Sequence, residues 1–292
     1  MKRASTKDWR AAWIFLLPAL IFFAVFIIYP FVEGLILSLS VWDGFSPPAF
    51  VGLRNYEELF RPGGLFLKSL ANNSVFAVYT VIGKNVLALF LAMLLNSKIR
   101  GRAAYRTILF LPTCLSFVAV GLVWGFIYNP SFGILNAFLS LFGHASTISW
   151  LGDPGLALGS VAFVDIWKWT GYHMVLYLAG LQTIPSELYE AAAVDGASPV
   201  RTLGYITIPQ LAPVIVVNVV ISLMGAYGVF DIVYVMTRGG PYNATQMLLT
   251  NMYEVTFQQY QIGLGSAIVV MLFVIVMLIT VLQNRIGRRL EE

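Results

Sequence analysis

Six predominantly apolar runs constrain this chain more than any other feature, because roughly 20 residues of helix are needed to cross about 30 Å of hydrocarbon. They are Trp13 to Val32, with the span continuing to about residue 39, and residues 70–95, 108–128, 156–181, 211–236 and 263–282. Membrane barrel strands are excluded by length, since each needs only about 10 residues of alternating polarity. Of 292 residues, 59% are hydrophobic and 11% charged, whereas a soluble domain carries about 25% charged residues. Too little polar surface exists to cover a water-soluble globule. The expected fold is an all-α membrane protein of six transmembrane helices, forming one domain over residues 1–292 without internal repeats or low-complexity tracts. Intrinsic disorder is excluded by the hydrophobicity, and a disulfide scaffold by the single cysteine, Cys114.

Lys and Arg in the connections set the orientation, because cytoplasmic loops carry their excess. With the N-terminus inside, the inner segments hold Lys2, Arg3, Lys7, Arg10, Lys98, Arg100, Arg102, Arg106, Arg201, Arg285, Arg288 and Arg289. The outer loops hold only Arg54, Arg61, Lys68 and Arg238. Both termini are therefore expected in the cytoplasm. The first run is too long for a signal-peptide core and lacks a small-residue cleavage site, so it is expected to stay. These basic residues sit at span edges and form no stripe with interleaved aromatics, so nucleic acid is not an expected partner. The outer segments around Asp43 and Arg238 read as ordinary connectors.

Charge inside the spans is informative, because an Asp or Lys at mid-bilayer costs roughly 2.5 to 3.5 kcal/mol and usually faces a cavity or a partner. The first, third and sixth runs are uncharged and expected to face lipid. The second holds Lys84, the fourth Asp165 and Lys168, and the fifth Asp231. Asp165 and Lys168 are three apart and share a helix face, where they can pair with each other. Alternatively they join Trp169, Tyr172 and His173 in a surface of stacking rings and hydrogen-bonding groups suited to a polyhydroxylated ligand. Lys84, followed by Asn85, pairs with Asp231 across the bundle or snorkels. His144 reads as a solvated loop residue. Two separated histidines and one cysteine make no metal site, and no nucleophile, base and orienter can be assembled. The chain also lacks G-x-x-x-x-G-K-[ST], the phosphate cradle of ATPases. It is not expected to be an enzyme, and it holds no cofactor of its own.

Between the fourth and fifth runs lies Gln182 to Gln210, too long for a turn and strongly punctuated. Ser186 can cap a helix from Glu187 to about Val194, with Glu187 and Glu190 near its positive end and Ala191, Ala192 and Ala193 favouring helix. Asp195-Gly196 ends it, and Ser198-Pro199 starts a second helix that stops before Pro209. The alternatives are an interfacial hairpin lying on lipid and a force-transmitting handle rooted in two spans. Three acids against one Arg disfavour anionic lipid.

The residues Glu190-Ala191-Ala192, Asp195-Gly196-Ala197 and Ile206-Thr207-Ile208-Pro209 resemble the signature loop of permease subunits of binding-protein-dependent ABC importers. In that family an E-A-A tripeptide, a Gly six residues after the Glu and an I-x-L-P ending 13 residues after the Gly form the coupling helices seated on the ATPase. Both spacings are present here. Pro18 to Pro30, Phe50 to Tyr56, Tyr105-Arg106 to Leu111-Pro112, and Thr237 to Pro241 also look like the sugar and glycerol-phosphate branch, the maltose-type permeases. The departures are Leu203, where Phe is usual, and Ile208, where Leu is common.

The resemblance implies a type I importer permease fold with a cytoplasmic coupling helix-turn-helix, moving a sugar or related polyol, glycerol phosphate included, across the cytoplasmic membrane of a bacterium or archaeon by alternating access. It implies a heterodimer with a second permease subunit, two ATPase subunits that bind ATP and Mg, and an external solute-binding protein. Coupling to the ATPase would fall to Glu190, Ala191, Ala192, Asp195, Gly196 and Pro209. By position in the family, solute contacts would come from Asp165, Trp169 and Tyr172 before the loop, with Lys168 beside them, and from Gly225, Ala226 and Val229 after it, with Tyr227 and Asp231 nearby. Two other classes compete. An ion-coupled secondary transporter could use Asp165, Lys168 and Asp231 as a proton relay, but the inverted repeats typical of that class are absent. A membrane enzyme would need acids clustered at the interface, and these are scattered.

Overall fold

A computed structural model describes residues 6–97, 99–143 and 147–291. Lys2, Arg3, Lys98 and His144, which enter the orientation and loop readings, lie outside them. Among the described residues, four helical segments are long and apolar enough to cross a membrane: Phe15–Ser38, Leu65–Asn96, Pro199–Tyr227 and Ile262–Gln283. A fifth is obtained if Arg102–Cys114 and Phe117–Ile127, bent by 99°, count as one broken span. The chain divides into two compact units, one made of the chain up to Gly64 with Met252–Met271, the other of Leu65–Asn251 with the chain from Leu272 onward.

In the first unit, α1 (Thr6–Phe23) runs through a π-helical turn, Ala24–Ile28, into α2 (Tyr29–Ser38). Pro30 explains the wide turn. A proline ring clashes with the carbonyl four residues back and has no N–H to donate. Widening the preceding turn, with the Tyr29 N–H donating to Ala24 O, lets the helix pass the proline. Residues 15–33 are exposed throughout. Beyond α2 a two-residue antiparallel ladder, β1 (Ser40–Val41) with β2 (Ala49–Phe50), departs from the all-helical expectation. Its connection is closed by Asp43, whose Oδ1 accepts from the Ser46 hydroxyl at 2.7 Å and from the Ser46 and Phe45 amides. A short α3 (Arg54–Leu59) follows. From it, Asn55 donates to Ser38 O and Ser40 O, tying helix, ladder and loop together. The amide of Ile262 donates to Trp42 O and brings the last helix onto the same loop.

The second unit is built on α4 (Leu65–Asn96), α5 (Arg102–Phe110), α6 (Phe117–Ile127), α7 (Ile134–Ser140) and α8 (Ala157–Leu181), then α9 (Ser186–Val194), α10 (Pro199–Thr202), α11 (Ile208–Tyr227), α12 (Asp231–Met236), α13 (Leu248–Tyr253) and the second part of α14 (Ile262–Glu291). α8 is its axis. Ala88, Ala92 and Leu95 of α4 meet Met174, Tyr177, Leu178 and Leu181 of α8 and Leu211 of α11 in one buried cluster. Gly83 lets α4 come closest, because a Cβ there would stand 2.5 Å from Ile166 Cδ1.

Two spans differ from their sequence reading. The apolar run 108–128 is not one helix: a 3-10 turn at Leu111–Cys114 and an extended Leu115 break it, and Ser116 caps α6 by accepting from Ala119 N. Pro112 and the Ser116 cap both favour that break, but continuous hydrophobicity hides it. The fifth span begins earlier and ends earlier than 211–236. It runs from Pro199 to Tyr227, and Gly228 and the residues after it separate α12. α8 is a single helix where the fourth span was expected, though its two charges and other polar residues leave it less apolar than the four spans above.

Candidate functional site

The segment 182–210 folds as helix, glycine corner, helix. Ser186 is the first residue of α9 and does not cap it; Pro185 occupies the cap position with no side-chain bond. The helix closes at Gly196, φ +67°, with Ala197 N–H bonded to Ala192 O and Gly196 N–H to Ala193 O. These are the paired 6→1 and 5→2 bonds of a left-handed glycine C-cap. Ser198 then caps α10 through Arg201 N, with Pro199 at its first position, as the sequence indicates. The second helix does not stop before Pro209. A π turn at Leu203–Thr207 carries it past the proline into α11, the same device that precedes Pro30. The hairpin's second helix is thus continuous with α11. Glu190, Ala191, Asp195 and Gly196 are exposed, Ala192 is buried, and Val194, Val200 and Tyr205 leave most of their apolar surface open. Tyr189 OH and Thr207 Oγ1, 3.2 Å apart, close the base.

A cavity of about 210 Å³ lies among α4, α6, α8, α11 and α12. Of the residues expected on a solute path, Asp165, Trp169, Gly225, Val229 and Asp231 line it. Phe117, Lys84, His173 and Ser222 join them. Lys168, Tyr172, Ala226 and Tyr227 do not line it. Tyr172 stacks edge-on against Trp169 and His173. Ala226 is buried, its carbonyl accepting from Asn73, and Tyr227 OH meets Ser74.

Neither of the charge pairings expected from sequence forms. Lys84 Nζ stands 2.5 Å from Asp165 Oδ2, with the two side chains only 3% and 5% exposed. That oxygen meets no other donor among the described residues. Asp231 sits exposed at the start of α12, and its carboxylate has no ion pair or hydrogen bond among the described residues. Lys168 is used elsewhere. Its ammonium donates to the carbonyls of Leu115, Thr113 and Pro112 at 2.7, 3.0 and 3.3 Å and lies over the rings of Phe117 and Trp169. Those carbonyls are the ones released where the 108–128 run breaks. Pro112 O also accepts from the Leu115 amide at 3.2 Å, so in a membrane interior it is the Thr113 and Leu115 carbonyls that depend on the ammonium for a donor.

Beside the ion pair runs a hydrogen-bond chain that the sequence did not announce. Tyr177 OH donates to Asn85 Oδ1 at 2.6 Å, and Asn85 Nδ2 donates to Ser222 Oγ at 3.1 Å. Ser222 Oγ lies 3.3 Å from His173 Nε2, and His173 Nδ1 lies 2.8 Å from Asn218 Oδ1. Asn218 Nδ2 donates to Val214 O, which turns its oxygen toward the ring. The network is therefore complete with His173 neutral and protonated on Nδ1, each donor facing an acceptor.

The segment 237–247 is also more than a connector. Lys68 donates to Tyr242 O, Asn72 to the Asn243 and Gln246 carbonyls, and buried Asn73 accepts from Leu248 N. The Tyr242 and Asn243 carbonyls that accept these bonds belong to residues at positive φ, and Arg238, earlier in the segment, is at positive φ too.

A family model described as "binding-protein-dependent transport system inner membrane component" matches residues 84–292. The probable ABC transporter permease protein YurN of Bacillus subtilis (strain 168) is 39% identical over 284 residues, covering 96% of this chain and 97% of its own length. The trehalose/maltose transport system permease protein MalF of Thermococcus litoralis is 36% identical, covering 97% and 95%. A solved bacterial ABC transporter involved in the import of the acidic polysaccharide alginate superposes with a TM-score of 0.85 at 26% identity, over 98% of this chain and 97% of that one. With this agreement of fold and sequence, the chain belongs to the family of binding-protein-dependent transport system inner membrane components, the permeases of ABC importers.

Proposed function

We propose that this permease moves a sugar or related polyol across a bacterial or archaeal cytoplasmic membrane, alternating between inward- and outward-open states driven by separate ATPase subunits. In this reading the chain has six spans with both termini inside, and the 182–210 hairpin lies in the cytosol, where it takes up motion of the ATPases through Glu190, Ala191, Ala192, Asp195, Gly196 and Pro209. Partners in this reading are a second permease subunit, two ATPases holding ATP and Mg, and an external solute receptor. The observation that carries the reading is the unbroken path from the Gly196 corner through α10 and its π turn into α11. A push on the corner tilts the helix bearing Ser222 and Gly225, which line the cavity. The exposed Val194, Val200 and Tyr205 supply apolar surface of the sort that marks a protein contact. The cavity's mixture of aromatic faces and hydrogen-bonding groups suits a sugar.

Reconstitution tests it. The complete importer in proteoliposomes should accumulate saccharide only with internal ATP and a loaded receptor, and should be indifferent to uncouplers. Accumulation by this chain alone, or accumulation driven by an ion gradient without ATP, would overturn it.

A further inference from the structure

We infer that the cavity accepts uncharged or amino-bearing saccharides, and that Asp231 is the residue that turns acidic ones away. The inference rests on reading the cavity as the solute site and goes on to name the charge class of its cargo. Three charged side chains line the cavity: Lys84, Asp165 and Asp231. The first two neutralise each other at 2.5 Å and are nearly free of solvent, so the Lys84 ammonium is not available to a ligand anion. The other nearby cation, Lys168, spends its donors on Leu115, Thr113 and Pro112. His173 is committed on both ring nitrogens to Asn218 and Ser222. No cationic donor from these elements is left to meet a carboxylate, sulfonate or phosphate. Among the described residues that line the cavity, the one charge without a partner is the exposed carboxylate of Asp231.

A carboxylate accepts hydrogen bonds from sugar hydroxyls and pairs with an ammonium, but it repels an anion, and it does so more strongly in a partly desolvated cleft than in open water. Phe117 and Trp169 add apolar faces that hold a sugar ring regardless of charge. Charge selection is therefore separable from general sugar binding and resides at one position. The alginate importer shares the fold yet is involved in the import of an acidic polysaccharide. Backbone architecture does not fix the sign of the cargo; the lining does.

The test measures equilibrium binding to the complete importer in nanodiscs, without receptor, by calorimetry. The ligands are a matched neutral disaccharide, its amino counterpart and its uronate. In the wild type the uronate should bind roughly tenfold more weakly than the neutral sugar. Asp231→Asn should close that gap, and Asp231→Glu should preserve it. A role confined to stabilising α12 would leave the ratio unchanged in Asp231→Asn. Equal binding of uronate and neutral sugar by the wild type, an unchanged ratio in Asp231→Asn, or no saccharide binding at all would each overturn the inference. Receptor-dependent, ATP-driven saccharide uptake measured on the same preparation separates the outcomes. If it persists, only the charge selection has failed; if no saccharide is taken up, the functional reading has failed.

Discussion

The ammonium of Lys84 and the carboxylate of Asp165 meet at 2.5 Å between two helices, at the level where Gly83 brings α4 against Ile166 of α8. A buried pair of this kind is no guarantee of net stability, because desolvating both ions offsets most of their attraction. Removing one partner is another matter, since the survivor is left charged and dry. Lys84→Met or Asp165→Leu alone should destabilise the protein by about 3–5 kcal/mol. The double change Lys84→Met with Asp165→Leu should recover most of that loss. Denaturant unfolding of the four proteins in a double-mutant cycle checks it, and additive single effects would show that the two residues do not act as a pair.

Lys168 and the carbonyls of Pro112, Thr113 and Leu115 give the break in the 108–128 run its physical reason. Lys168→Met orphans the Thr113 and Leu115 carbonyls at about 1–3 kcal/mol each, while Pro112 O keeps the Leu115 amide, so a loss of at least about 2 kcal/mol is expected, and Lys168→Arg should lose much less. Because Lys168 does not line the cavity while Trp169 does, Lys168→Arg should leave the uptake KM near the wild-type value and Trp169→Ala should raise it. Unfolding midpoints and uptake kinetics measured side by side distinguish these two neighbours.

The turn that closes the β1–β2 ladder carries a pH dependence of definite sign. Hydrogen bonds from the Ser46 hydroxyl, then from the Ser46 and Phe45 amides, hold the Asp43 carboxyl down at about 2 from its ordinary 3.8. A carboxyl depressed by folding contributes its stabilisation above the unfolded value, and that contribution is lost as pH falls through the folded one. The turn should therefore be intact above about pH 4 and should loosen toward pH 2. The Asp43 carboxyl carbon and the Ser46 amide should titrate together by NMR. In Asp43→Asn the Ser46 amide should lose that titration.

Much of this was legible in the chain because the relevant signals are local. Gly196, Ser198 and Pro199 punctuate the hairpin in the order the backbone uses them, since caps and left-handed corners depend on one or two residues. The unread parts are non-local. Asp165 and Lys168, three apart on one helix, suggest each other, yet each is claimed by a group distant in sequence, Lys84 for one and the Leu115 carbonyl for the other. The network from Tyr177 to Asn218 joins three helices and has no spacing rule to reveal it. Pro209 misled for another reason. A proline ends a helix only where the preceding turn cannot widen, and the turn at Leu203–Thr207 does widen.

Gly196 offers a test of the hairpin that separates backbone geometry from bulk. A Cβ at this position would meet nothing within 4 Å, so space is not what requires glycine. The requirement is the φ of +67°, which costs most L residues roughly 1–2 kcal/mol but which Asn adopts readily. If the corner sets the angle at which α9 hands motion to α10 and α11, the rank order of variants should follow left-handed propensity and ignore volume. Gly196→Asn should keep ATP-driven uptake near the wild-type rate. The smaller-volume Gly196→Ala should reduce it, and Gly196→Val should nearly abolish it, with all three inserting into the membrane at normal levels. Proteoliposome uptake, with ATP hydrolysis measured in parallel, decides. In Gly196→Val, hydrolysis should continue without uptake. An order that tracks side-chain size would instead make the corner a close-packed docking surface.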